Sequence, residues 1–335
     1  MPTGRIAVIG CGGWGTALAV HFSQCGHDVC LWGRNSSLVD RIRSDGKNEI
    51  YLPGVAFPSN LRVTAELDAA LRNAAYVVIA VPSHGLRDVV KAVAPHLSQD
   101  TRIVSAAKGI EQGTLLRMSE VVSEELGVSR LVGVLSGPSF AAEVARGAPT
   151  AVVVTGTDSE FIAQLQEDFR SPTFRLYATD DLVGVEIGGA LKNVIAIAAG
   201  VSESLGLGNN ALAALVTRGL VEISRLAGTL GGKRETLSGL SGLGDLVLTC
   251  TGDLSRNRRL GLALGRGETL DDILAGTRTV AEGVKTTQAA LALSKRQGIE
   301  LPIAFQMAEV LAGRKAPRAA VEDLMLRRQR PEIDG

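Results

Sequence analysis

The stretch that decides the fold is RIAVIGCGGWGTALAVHF, residues 5–22. A short apolar run suited to a strand breaks into Gly10, Gly12 and Gly15, and a helix-forming run from Thr16 to Phe22 follows at once. In the pattern G-x-G-x-x-G the first glycine permits a tight turn and the second lets the backbone approach a pyrophosphate. The third allows close packing of helix on strand. The start of that helix offers N–H groups and partial positive charge to an anion. Three glycines alone would mark any tight strand-to-helix turn. Their place at the first strand of an alternating series is what points to a dinucleotide.

The series runs outward from there. Further strand candidates are DVCLWG from Asp28, AYVVIAV from Ala75, TRIVSA from Thr101, RLVGVLS from Arg130, TAVVVT from Thr150 and TFRLYAT from Thr173, with amphipathic stretches between them. Most are apolar throughout, as strands covered on both faces should be. After Asp180 strand-like runs cease, and helical patterns take over: GVEIGGALKNVIAIAAGV, ALAALVTRGLVEISRLAGTL, GVKTTQAALALSKRQ and PIAFQMAEVLAG. The expected fold is α/β, a Rossmann-type doubly wound, mostly parallel sheet over residues 1–180, followed by an all-α domain over residues 181–335. RPEIDG at the end reads as a loose tail.

Composition narrows the partners. The 335 residues are 45% hydrophobic and carry 35 basic against 35 acidic side chains, a formal net charge of zero, so no global field favours nucleic acid. Cys11, Cys25, Cys30 and Cys250 lack metal-site or disulfide-framework spacing and read as reduced thiols; no metal is expected. Glycines interrupt the first apolar run, so no secretory leader is read there, and no membrane-spanning run is seen. A cytoplasmic location is expected.

The end of the second strand bears on the cofactor. LWGRNSS places Gly33, Arg34 and Asn35 where an NAD-selective site would carry a carboxylate. Arg34 is either an exposed loop arginine or the partner of a 2′-phosphate, so NADP is preferred and NAD comes second. His84, in AVPSHGL, is either a general acid or a loop filler beside a Ser83 that caps the next helix; the second is favoured. His21 and His27, around the end of the first helix, read as structural.

Two clusters in the second half carry reactivity. Lys192 stands in a run whose positions three and four residues away are Gly188, Gly189, Ile195 and Ala196, so it has no local ion-pair partner. Either its stem snorkels to water, or burial lowers its pKa for proton exchange with a carbonyl or carbinol oxygen, with the glycines leaving room for substrate. Asp245, in a glycine-rich turn, is either an N-cap or a site carboxylate. Ser255 reads as an N-cap followed by Arg256, Arg258 and Arg259, cations that oppose the helix dipole. That end is either solvated or holds a phosphate.

Together these segments resemble the soluble, bacterial-type NAD(P)-dependent glycerol-3-phosphate dehydrogenases, from about Arg5 to Leu326: GCGGWGTALA, NEIYLPG, AVPSH, AAKGIE, LSGPSFAAEVARGAPTA, ALKNVIAIAAG, GLGDLVLTC, SRNRRLG and VAEGVKT, in that order. The resemblance implies a helical second domain of the 6-phosphogluconate-dehydrogenase type. It also implies reversible hydride transfer between NAD(P)H and C2 of dihydroxyacetone phosphate, giving sn-glycerol 3-phosphate for phospholipid synthesis. It assigns Lys192 as proton donor and acceptor, Lys108 to both substrate and cofactor, and Gly137, Ser139, Asp245, Ser255, Arg256 and Asn257 to substrate. Gly10, Gly12, Gly13, Trp14, Gly15, Arg34, Ala141, Arg256, Val280 and Glu282 fall to the cofactor. Gly13 stands where many relatives carry serine, leaving backbone donation alone. A homodimer is expected from the apolar helical faces. Two competing readings are a β-hydroxyacid dehydrogenase of the 6-phosphogluconate type and a non-catalytic NADP-sensing module. The first lacks its asparagine one turn after the lysine, where Ala196 stands; the second has no use for a lysine in an apolar helix.

Overall fold

The computed structural model describes residues 4–128, 130–276, 281–329 and 331–332. Eight strands form one sheet: β1 (Arg5–Ile9), β2 (Asp28–Trp32), β3 (Leu61–Thr64), β4 (Ala74–Ile79), β5 (Arg102–Ser105), β6 (Val132–Ser136), β7 (Thr150–Gly156) and β8 (Phe174–Ala178). Their order is β3-β2-β1-β4-β5-β6-β7-β8. All pairings are parallel except β6 with β7, where the chain reverses. Order reverses beside β1, because β2 and β3 lie to one side of it and β4 to the other. The crevice above the ends of β1 and β4 is therefore the switch point where such sheets bind ligands, and the glycine loop emerges there.

β3 was not among the expected strands. LRVT is four residues long, half polar and at the sheet edge, so it shows no apolar run. The central strands β1, β4 and β6 are buried almost throughout and separate two apolar layers, whereas β8, at the other edge, buries only Phe174 and Leu176.

No strand follows Ala178 among the described residues. Asp181 accepts a hydrogen bond from the Gly184 N–H (2.8 Å) and caps the helix Leu182–Ser204, buried without interruption from Gly184 to Ser202. Its length and apolar composition would suit a membrane span, but it is the axis of the helical core, against Gly208–Thr229, Arg256–Gly265 and Glu282–Gln297. Its crossing with Arg256–Gly265 is close: a Cβ on Gly261 would overlap the Ile197 carbonyl oxygen, and one on Gly200 that of Arg258. The same helix also touches β6 and β7. Glu186 on it, 6% exposed, accepts from Ser119 N (2.8 Å), Ser119 Oγ (2.6 Å) and Arg117 Nη1 (2.5 Å). Burial raises its pKa against the opposing Arg117 charge.

Of the expected tail, the Glu332 carbonyl accepts from Arg218 (3.4 Å), and just before it Arg327 reaches Glu300 (2.8 Å). All four cysteines are free, and His21 and His27 bond to the Phe169 and Asp168 carbonyls.

Candidate active site

Gly10 adopts φ +119°, and a Cβ there would come within 2.7 Å of the Ala80 carbonyl oxygen. A Cβ on Gly15 would overlap the Gly10 carbonyl, so the helix Gly13–Gln24 sits hard against the turn. Gly12, by contrast, faces open space. It is also the residue at the helix cap, and no side chain occupies the N–H groups of the first turn. The open side and the free N–H groups fit a dinucleotide pyrophosphate. Asn48 holds the loop from behind, its Nδ2 donating to Cys11 O and Thr16 Oγ1, both at 2.9 Å. A Cβ on Gly13 would lie 2.7 Å from the Tyr51 carbonyl and 3.9 Å from Ala141 Cβ, which places Ala141 beside the loop. Trp14 is half-buried, and its indole N–H has no acceptor among the described residues.

Arg34 is exposed just past β2 and makes no ion pair among the described residues. Ser83 departs from its expected role as a helix cap. Gly85 precedes the helix Leu86–Val93 without a side-chain cap, and the Ser83 hydroxyl donates to Glu282 Oε2 at 2.5 Å, with its N–H 3.1 Å from Oε1. A tertiary carboxylate outcompetes the local cap. Glu282 opens the helix Glu282–Gln297 and so ties the helical core to the loop after β4. Val280 lies outside the described residues.

The reactive centre forms where Leu182–Ser204 meets the ends of β5 and β6. Lys192 is 7% exposed and does not snorkel. Its Nζ donates to Asp245 Oδ1 (2.5 Å) and Thr249 Oγ1 (2.8 Å). Asp245, 1% exposed, is the first residue of the helix Asp245–Thr251 rather than its cap, which is Gly244. It follows a π-helical turn, Leu240–Gly244. Its other oxygen accepts from Lys108 Nζ (2.7 Å), three residues beyond β5, and Lys108 also donates to the Gly137 carbonyl (2.9 Å). Ser139 Oγ donates to that same carbonyl at 3.0 Å. Lys108, Gly137, Ser139, Lys192 and Asp245 are thus one connected group. Burial lowers the Lys192 pKa to about 8 despite Asp245, and the Lys108 charge pushes the same way.

The glycines beside Lys192 serve packing rather than substrate space. A Cβ on Gly188 would come 2.7 Å from the Ser241 carbonyl, and one on Gly189 2.7 Å from Ser136 Oγ and 3.7 Å from the Lys108 stem. Their absent side chains let the π-helical turn and Lys108 close on the helix.

Ser255 caps Arg256–Gly265, accepting from Arg258 N at 3.2 Å. Arg258 pairs with Glu203 (2.8 and 2.9 Å) and Asp253 (2.9 Å), so protein carboxylates neutralise one of the three cations read as needing an anion. Arg256 is exposed with no hydrogen bond or ion pair among the described residues. Asn257 is buried: its Nδ2 donates to Asn193 Oδ1 (2.9 Å) and its Oδ1 accepts from Gly283 N (3.0 Å). What remains for an anion is the Arg256 side chain and the uncapped first-turn N–H groups.

Sequence reading passed over Thr249, Asn193, Asn48 and the Ser83 link. Only Thr249 had a local signal, four residues after Asp245 on one helix face. No three His, Cys, Asp or Glu side chains among the described residues are placed to hold a metal.

Comparison with known proteins covers both halves. The sequence pattern of the NAD-dependent glycerol-3-phosphate dehydrogenase N-terminus matches residues 5–162, and that of its C-terminus residues 181–322. A glycerol-3-phosphate dehydrogenase (NAD(P)+) of Acidobacterium capsulatum is 52% identical over 336 residues, covering 98% of this chain and 99% of its own. One from Syntrophotalea carbinolica is 52% identical over 332 residues, covering 98% and 100%. The crystal structure of glycerol-3-phosphate dehydrogenase from Coxiella burnetii superposes with a TM-score of 0.94 at 43% identity, over 98% of this chain and all of that one.

Proposed function

The chain belongs to the NAD-dependent glycerol-3-phosphate dehydrogenase family, and from that premise we propose which of its residues carry the family's reaction. It is an oxidoreductase that interconverts dihydroxyacetone phosphate and glycerol 3-phosphate with NAD(P)H. The β-hydroxyacid dehydrogenase and sensor readings give way to this one.

When bound, the reduced dinucleotide supplies a hydride to C2 of the ketone. Lys192, as the ammonium, donates a proton to the C2 oxygen; in the reverse direction the neutral amine takes the hydroxyl proton back. Asp245 holds Lys192 and Lys108 on its two oxygens, keeping both aimed at one point. Lys108 contributes a second cation beside the developing oxyanion. Gly137 and Ser139 shape the substrate wall. The start of Arg256–Gly265 takes the substrate phosphate through its N–H groups and Arg256, with Ser255 and Asn257 fixing that start. Gly10, Gly12, Gly13, Trp14, Gly15 and Ala141 line the dinucleotide path, Glu282 closes its far side, and Arg34 favours NADPH over NADH. The sheet-bearing residues 1–180 thus form the cofactor domain and residues 181–335 the substrate domain.

The observation that carries this assignment is the Lys192 amine buried between Asp245 and Thr249. Purified protein is expected to oxidise NADPH with dihydroxyacetone phosphate and not with a 3-oxo acid. Lys192→Ala is expected to lose about 10²-fold or more in kcat with cofactor affinity retained. An unchanged kcat would return Lys192 to a packing role. A homodimer is also proposed, supported by apolar residues exposed on the helical part, among them Phe305 and Met325; sedimentation equilibrium reads it directly. The free thiols suit a cytoplasmic location.

A further inference from the structure

The run that leaves β5 turns its side chains alternately to two sides. Lys108 reaches Asp245 (2.7 Å), and Ile110, 3% exposed, joins the apolar cluster that holds Ile187 and Leu191 of Leu182–Ser204. Gly109 and Glu111 turn instead to the chain that follows β4. A Cβ on Gly109 would collide with the Ser83 Cβ. Glu111 takes two prongs of the Arg87 guanidinium, Nε to Oε1 at 2.8 Å and Nη2 to Oε2 at 2.7 Å. Ser83 opens a short turn that leads into the helix Leu86–Val93, and Arg87 is the second residue of that helix. One stretch of chain therefore backs the Lys108 run on both sides of Ile110.

Arg87 holds more than this pair. Its Nη2 also donates to Glu124 Oε2 (2.6 Å) and its Nη1 to Glu125 Oε1, both on the helix Met118–Leu126. Three carboxylates thus converge on one guanidinium, and the nearby cation Lys91, 3.9 Å from Glu125, is largely exposed. Without Arg87 these carboxylates repel one another. Glu124 and Glu125 are fixed on a helix, so the connecting run that carries Glu111 is the part that yields. Glu111 is three residues from Lys108. We infer that Arg87 is a positioning residue for the reaction: by clamping Glu111 against Leu86–Val93 it fixes where Lys108 stands beside Lys192 and the substrate. The inference rests on the role proposed above for Lys108.

The test is a double-mutant cycle on kcat for dihydroxyacetone phosphate reduction, measured across pH in the wild type, Arg87→Ala, Lys108→Ala and the variant carrying both changes. Arg87→Ala alone is expected to lower kcat about tenfold, as a small misplacement of a reacting group should. With Lys108 already replaced, the same change is expected to cost less than about twofold, because the group it positions is gone. Beyond burial, the charged groups acting on the Lys192 amine are Asp245 and Cys250, which favour its proton, and Lys108, which opposes it. A slack Lys108 therefore moves the fall of reduction to higher pH in Arg87→Ala, which a loss of stability alone does not do. Glu111→Ala leaves Arg87 its two helical carboxylates; it is expected to move the profile the same way, and it decides the matter if Arg87→Ala does not fold. Glu124→Gln keeps the Lys108 run clamped and is expected to match the wild type. An equal factor from Arg87→Ala with and without Lys108, or an unmoved pH profile, would overturn the positioning and leave the role of Lys108 standing. A wild-type kcat in Lys108→Ala would overturn that role, and the positioning with it.

Discussion

A single amine decides how this site behaves with pH. Burial brings Lys192 to about 8, so near neutrality it is largely the ammonium and above that value largely the amine. Reduction of the ketone needs the proton and oxidation of the alcohol needs its absence. The kcat for dihydroxyacetone phosphate reduction is therefore expected to fall as pH rises through about 8, while that for glycerol 3-phosphate oxidation rises over the same interval. Opposed pH profiles in the two directions check this; parallel ones would assign the titration elsewhere. The sequence made Lys192 conspicuous because an apolar helix offered it no neighbour. Its partner was not legible from local pattern, since Asp245 is 53 positions away; only the family resemblance implied that this carboxylate orients the lysine.

At the scale of elements, the glycines carry most of the information. The loop at Gly10, Gly12 and Gly15 was readable because its spacing falls within one strand-turn-helix unit, where Gly15 must clear the Gly10 carbonyl, Gly10 takes a positive φ and Gly12 leaves an open face. Gly200 and Gly261 were not, because their demand comes from another helix: they let Arg256–Gly265 lie on Leu182–Ser204 with backbones nearly touching. Gly261→Ala would force the two apart. The expected cost is about 1–3 kcal/mol of stability, with a raised KM for dihydroxyacetone phosphate because the phosphate-facing helix start shifts. Thermal unfolding and steady-state kinetics check both parts. Central strands announced themselves by continuous apolar runs, whereas β3, short and at the edge, did not.

Across the whole molecule, and beyond the Lys108–Asp245 pair, polar braces between the sheet-bearing part and the helices include Ser83 with Glu282, and Arg117 and Ser119 with Glu186. Neither could be read from the sequence, because each pairs residues that look ordinary in isolation. Arg117→Ala would leave the Glu186 carboxylate buried without its cation, at an expected cost of about 3–5 kcal/mol. The sign of the pH effect follows. Without Arg117 the folded-state pKa of Glu186 rises further above its unfolded value, so the folded variant holds a proton that the unfolded chain releases. Its stability is then expected to decline as pH climbs above the unfolded value, making the deficit larger at pH 8 than at pH 5, as denaturant melts at the two pH values would read. The axial helix Leu182–Ser204 has one further consequence, for biosynthesis. It leaves the ribosome after the sheet it touches but before every other helix that covers it, so a growing chain carries an uncovered apolar rod for as long as translation needs to deliver the remaining 131 residues of the protein. The interval in which this enzyme most needs protection from aggregation is thus fixed by the order of its elements.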